Sequence, residues 1–134
     1  MKIYLDSCIL IYLIDGPDSF SHAIAETMRG ILSATFCFSD LVRLECLVDP
    51  IRRGDEEKRK VFEAQFQRLT SLPLTSSVFD LATELRARHR IKTPDALHAA
   101  AAILHGCDEF WTNDRRLAVL GPRLTLRVLP EVTP

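Results

Sequence analysis

Short apolar runs of strand-forming residues alternate along this chain with segments of helical periodicity, and that alternation restricts the fold more than any other feature. Lys2-Ile3-Tyr4-Leu5 opens the series. Apart from Lys2 it is apolar on both faces, the pattern of a strand covered on both sides. Ser7 is placed to cap a helix reaching about Ile14, which Gly16-Pro17 stops. A second helix falls between Pro17 and Leu32, with Phe20, Ile24, Met28 and Ile31 at helical spacing. Thr35 to Phe38 reads as the next strand, and Ser39 caps a helix from Asp40 to about Val48, ended by Asp49-Pro50. A long amphipathic helix follows from Asp55 to about Thr70, with Val61, Phe62, Phe66 and Leu69 as its apolar stripe. Leu72-Pro73-Leu74 is a candidate short strand. Ser76 or Ser77 opens a helix through Phe79, Leu81, Ala82 and Leu85. Thr93-Pro94-Asp95 starts another, with Thr93 as cap and Pro94 at the first position. Its run Ala99 to Ala102 suits close packing on a sheet, and Gly106 ends it. Glu109–Thr112 and Thr125–Leu129 are the remaining strands.

Strands and helices that alternate over single short connections form an α/β domain with a mostly parallel sheet and helices on both faces. At 134 residues the expectation is one domain over 1–134. Hydrophobic residues at 47% and charged residues at 26% exclude a disordered or fibrous chain. The 17 basic and 18 acidic side chains give a formal charge of -1, which excludes a basic coat and confines any nucleic-acid contact to a local patch. Cys8, Cys37, Cys46 and Cys107 form no C-x-x-C pair and read as small reduced side chains, not a zinc site or disulfide framework. Asp6 and Ser7 interrupt the apolar N-terminus. The apolar run from Cys8 to Ile14 is far below the roughly 18 residues that span a bilayer. The chain is expected to be cytoplasmic, with no membrane contact.

The acids carry the chemistry. Ligands of parallel α/β sheets sit outside the carboxyl ends of the strands. Asp6 follows the first strand directly, and Asp114 follows Glu109–Thr112 by two positions. Glu45 lies on or beside the stripe Leu41, Leu44, Val48 that should face the core, where a carboxylate is costly unless paired with a cation. Arg43 and Arg86 are candidate salt-bridge partners for it. Asp95 occupies the first turn of an Ala-rich helix, where the helix dipole also favours an acid. If Asp6, Glu45, Asp95 and Asp114 converge, their repulsion raises some of their pKa values. A hard divalent cation such as Mg²⁺ relieves that strain and supports phosphodiester cleavage. His22, His89, His98 and His105 show no nucleophile–base pattern. His98 is one turn from Asp95 and reads as a helix-face residue or an orienting partner of that acid.

Four stretches together resemble the PIN domain, and within it the VapC-type toxins of toxin–antitoxin pairs. They are Tyr4-Leu5-Asp6-Ser7-Cys8, Ser39-Asp40-Leu41-Val42-Arg43-Leu44-Glu45, the run from Lys92 to Ala101, and the run from Phe110 to Leu117. The resemblance implies a three-layer domain with about five mostly parallel strands, the first strand central and the acids at its carboxyl edge. It implies an endoribonuclease dependent on Mg²⁺, with Mn²⁺ as a substitute. By position Asp6, Glu45 and Asp95 match the family's core acids and Asp114 its more variable fourth, as metal-binding and catalytic residues. Ser7 and Thr112 match hydroxyls that orient ligands or substrate. Cys8 departs from the Asn that many relatives carry there.

The resemblance also implies a homodimer and a VapB-type antitoxin, with operator DNA bound only through the antitoxin complex. The apolar helices Ile9–Ile14 and Phe20–Leu32 could supply partner surfaces or plain core. For the RNA substrate, Arg43, Arg86, Arg88, Arg90, Lys92, Arg115 and Arg116 stand near the acids in sequence and are candidate phosphate contacts. Two other readings compete. A non-catalytic PIN-like module would bind RNA or protein, although such modules commonly lose acids. A phosphotransferase of the haloacid-dehalogenase type would need an Asp-x-Asp pair, and position 8 is Cys.

Overall fold

The computed structural model describes residues 1–130. Five parallel strands form one sheet: β1 (Lys2–Leu5), β2 (Thr35–Phe38), β3 (Thr70–Ser71), β4 (Glu109–Thr112) and β5 (Leu126–Val128), in spatial order β3-β2-β1-β4-β5. The first strand is central, with Tyr4 opposite Cys37 on one side and Phe110 on the other. Six α-helices connect the strands: α1 (Ser7–Asp15), α2 (Asp18–Arg29), α3 (Asp40–Arg52), α4 (Glu56–Gln67), α5 (Ser76–Arg88) and α6 (Thr93–Leu104). A 3-10 segment, Arg115–Arg123, leads into β5. The helix α1 packs on α2 and α3, α3 on α4, and α5 on α6. This is the three-layer α/β arrangement expected of the alternating pattern.

The core follows from that pattern. Ile3, Tyr4, Leu5, Phe110 and Trp111 are fully buried on the two central strands. Each buried aromatic ring removes roughly 150–250 Å² from water, at about 25 cal/mol per Å². Ala96 and Ala99–Ala102 are fully buried, and their small side chains let α6 lie close to the sheet. Gly106 closes α6: its N–H bonds Ile103 O, the next N–H, of Cys107, bonds Ala102 O, and its φ of +71° favours glycine.

Several expectations are corrected. Asp6, not Ser7, caps α1, by accepting from the Ser7 N–H. Ser39 precedes α3 but makes no side-chain cap; its hydroxyl pairs with that of Tyr4. Thr93 is the first residue of α6 and not its cap, and its hydroxyl accepts from Arg86. Thr75 caps α5. The helix α3 does not stop at Asp49-Pro50: Pro50 is buried in its last turn, and the turn is held by Arg53 N–H to Asp49 O and Asp55 N–H to Pro50 O. The face of α3 also differs. Val42, Cys46, Leu47 and Pro50 face inward, whereas Leu44 is 57% and Val48 41% exposed. Val61 and Phe79 are likewise exposed, outside the stripes assigned to them. The third strand is Thr70–Ser71, just before Leu72-Pro73-Leu74. Among the described residues, no helix is long and apolar enough to cross a membrane.

Candidate functional site

The site begins at the carboxyl end of the central strand. Tyr4 and Asp6 are two positions apart, so both side chains project to one side of β1. Asp6 is held on both oxygens. Oδ1 accepts from the Ser7 N–H at 2.8 Å, and Oδ2 accepts from the Thr112 hydroxyl at 2.8 Å. Thr112 is fully buried at the end of β4 and also accepts the Asp114 N–H at 3.1 Å. Thus Ser7 orients Asp6 through its backbone, and Thr112 through its hydroxyl. Cys8 packs beside this pair, 3.6 Å from Thr112 Oγ1, and accepts the Asn113 N–H. Burial, then the charge of Asp6, pushes the Cys8 thiol up to about 11, so it stays protonated.

Glu45 reaches the same place from α3. Its partner is neither Arg43, which pairs with Glu63, nor Arg86, which bonds Ile91 O and Thr93 Oγ1. It is His98. His98 Nε2 lies 2.5 Å from Glu45 Oε1 and 3.7 Å from Asp6 Oδ1. Among the described residues, the metal-capable side chains that lie within 4.8 Å of one another are Asp6, Glu45 and His98. The ring of His98 is buried beneath them, with Nδ1 2.8 Å from the Tyr4 hydroxyl.

Asp95 stands outside that trio but within its field. Its carboxyl is raised above the usual range, first by burial and further by Asp6 and Asp114, against the opposing pull of Arg116. Asp114 is lowered instead, because Arg116 grips it. Arg116 donates from Nε to Oδ2 at 2.7 Å, and from its backbone N–H to Oδ1 at 2.9 Å. Asp114 thereby also caps the 3-10 segment.

The basic side chains divide into two groups. Arg90, Lys92 and Arg116 line a cleft of about 270 Å³ together with Ile91, Asp95 and Val119. Arg115 is exposed at the start of the segment that carries Arg116. Arg43, Arg86 and Arg88 are not brought into this cleft: Arg88 pairs with Glu84, and the other two make the contacts given above. The opposite flank of Glu45 is acidic, with Asp15 and Asp49 beside it in a small depression.

A hard divalent cation suits this donor set. Two carboxylates lie close enough to share an ion, with the His98 imidazole against them, and Asp6 and Asp114 add to the burial that raises the Asp95 carboxyl at the rim. His98 and Tyr4 are the residues that sequence reasoning undervalued. Their signal was positional: Tyr4 shares the Asp6 face of β1, and His98 shares the Asp95 face of α6.

Comparison with known proteins identifies the fold and the family. The PIN domain family model matches residues 3–121. No curated protein matches the sequence. The fold is similar to that of VapBC2 from Rickettsia felis, bound to a DNA fragment from its promoter, with a TM-score of 0.79 and 21% identity over 97% of this chain and 100% of that one. DNA-bound VapBC from Salmonella typhimurium gives 0.77 and 20%, covering 96% of this chain and 98% of the other. VapC20 from Mycobacterium tuberculosis, a sarcin-ricin-loop-cleaving toxin, gives 0.74 and 16%, covering 89% and 95%. With the family model spanning most of its length, its first strand central and Asp6 at that strand's carboxyl end, this chain belongs to the PIN domain family.

Proposed function

We propose that this protein is a Mg²⁺-dependent endoribonuclease, with Mn²⁺ as a substitute, and the toxin of a toxin–antitoxin pair. One observation carries the reading: Asp6 and Glu45, on separate elements, meet within 4.8 Å beside a cleft that joins Asp95 to Arg90, Lys92 and Arg116. Asp6 and Glu45 would hold the cation, with Asp95 at its edge and Asp114 behind. When bound, such a cation polarises a phosphoryl oxygen and makes water a better nucleophile. The protein's own residues do the rest. Thr112 and the Ser7 N–H fix Asp6. Arg90, Lys92 and Arg116 attract the phosphates of a polyanion next to the carboxylates, which would otherwise repel it. Asp114 steadies Arg116 at the rim of the cleft.

The partners follow the same reading. VapBC complexes with antitoxin and promoter DNA share this fold, and VapC20 cleaves the sarcin-ricin loop. A VapB-type antitoxin, a homodimer and operator DNA reached through the antitoxin are proposed for this chain on that basis. The exposed apolar residues Leu44, Val48 and Ile51 on α3 are available for such contacts. The helices α1 and α2 bury Ile9, Leu10 and Ile24 and leave the rest of their apolar side chains half-buried.

The test is cleavage of structured RNA by the purified protein, with Mg²⁺ and with EDTA, beside Asp95→Asn. Cleavage that needs the metal and is absent from the variant supports the reading. Equal cleavage by both proteins, or RNA binding without cleavage under Mg²⁺ and Mn²⁺, rejects it; the second result points to a binding module.

A further inference from the structure

A buried chain of hydrogen bonds ends on Glu45. Tyr4 and Ser39 are fully buried and His98 is 2% exposed. The Tyr4 hydroxyl lies 2.8 Å from Ser39 Oγ and 2.8 Å from His98 Nδ1, and His98 Nε2 lies 2.5 Å from Glu45 Oε1. With Glu45 ionised and His98 a neutral imidazole, the direction of this chain follows. An ionised carboxylate only accepts, so the proton between His98 and Glu45 sits on Nε2. In a neutral imidazole Nδ1 is then the acceptor, and the Tyr4 O–H donates to it. A phenol has one proton, so the Ser39 O–H must donate to Tyr4. Each donor is used once, in the order Ser39, Tyr4, His98, Glu45. Burial raises the Tyr4 phenol well above its ordinary value, which keeps that proton in place.

We propose that His98 is a positioning residue: fixed by Tyr4, it holds Glu45 beside Asp6 through its Nε2–H, so that both carboxylates are in place before a cation arrives. The need for such a device is physical. Two carboxylates this close repel each other, and a glutamate left free would swing away. The Nε2–H, between Glu45 Oε1 at 2.5 Å and Asp6 Oδ1 at 3.7 Å, is the positive end of a dipole set against both. Groups that orient metal ligands in this way typically change metal affinity by about 10- to 100-fold when removed. The inference rests on the reading of Asp6 and Glu45 as cation ligands.

The experiment measures Mn²⁺ binding by electron paramagnetic resonance, with circular dichroism and melting curves to confirm that each variant is folded. His98→Asn keeps an amide facing Tyr4 but is too short to reach Glu45, and should weaken Mn²⁺ binding by about 10- to 100-fold. His98→Gln places an amide N–H near the position of Nε2 and should recover most of that loss. In a Glu45→Gln background, His98→Asn should add nothing, because the histidine acts through the glutamate. A folded His98→Asn protein that binds Mn²⁺ like the parent overturns the proposal, as does an undiminished loss in the Glu45→Gln background. Nitrogen-15 NMR of the metal-free parent gives a separate reading, which also decides the matter if the Asn variant fails to fold. A ring carrying its proton on Nε2 supports the chain of bonds; a ring protonated on Nδ1 alone overturns it. A parent that binds no Mn²⁺ removes both the metal site and this role, whereas a parent that binds it with unaffected folded variants removes only this role.

Discussion

The Thr112 hydroxyl donates to Asp6 Oδ2 at 2.8 Å, tying the end of β4 to the first residue after β1. Thr112 Oγ1 also accepts the Asp114 N–H at 3.1 Å, so one buried hydroxyl sets the positions of two acids. Thr112→Val keeps the shape and removes both bonds. The expected cost is about 1–3 kcal/mol of stability, because a charged acceptor and a backbone donor lose their partner. Thr112→Ser should keep most of the stability. Urea unfolding of the three proteins in EDTA measures this.

Asp95 supplies a pH signature. Its folded pKa lies above the ordinary 3.8, so at neutral pH the ionised form opposes folding. Protonation relieves this opposition as pH falls through the raised value, and below 3.8 there is nothing further to gain. Asp95→Asn should therefore melt at a higher temperature than the parent in EDTA at pH 7. That advantage should shrink on acidification and vanish below about 3.8. Under saturating Mn²⁺ the order should reverse, because the parent gains binding energy that the variant lacks. Melting curves across pH, with and without metal, show both trends.

The basic cleft predicts a graded salt dependence. Arg116→Ala and Lys92→Ala should each weaken RNA binding, and each should flatten the slope of log K against log salt by about 0.7, the value for one single-strand phosphate contact. Arg53→Ala removes a cation paired with Asp49 on the far turn of α3 and should leave the slope unchanged. Binding is measured in EDTA, so that cleavage does not intervene.

Much of this was legible in the sequence because local pattern and tertiary position agree there. Lys2–Leu5, Thr35–Phe38 and Glu109–Thr112 are strands over the expected residues, since buried parallel strands are continuous apolar runs with few alternatives. The strand Thr70–Ser71 is two exposed polar residues at the sheet edge, defined by pairing with Cys37 and Phe38 and by nothing in its own composition. Pro50 misled because a proline can be kept in a last helical turn when burial and the bonds beyond it hold that turn. The inward face of α3 was misjudged because Leu44 and Val48 are apolar yet exposed, and apolar residues at a surface look no different in sequence. Asp6 was readable from its place directly after the first strand, whereas Glu45 was singled out by a stripe that is in fact largely exposed. The role of His98 was not, because it depends on Tyr4 and Glu45, which are distant in sequence and meet only in the fold.

On this reading Asp6 and Glu45 bind a divalent cation between them. Crystals soaked in Mn²⁺ and measured at a wavelength where manganese scatters anomalously test it directly. One strong peak is expected within coordination distance of both carboxylates. A map with no peak there at saturating Mn²⁺, or with manganese bound only to other side chains, contradicts it.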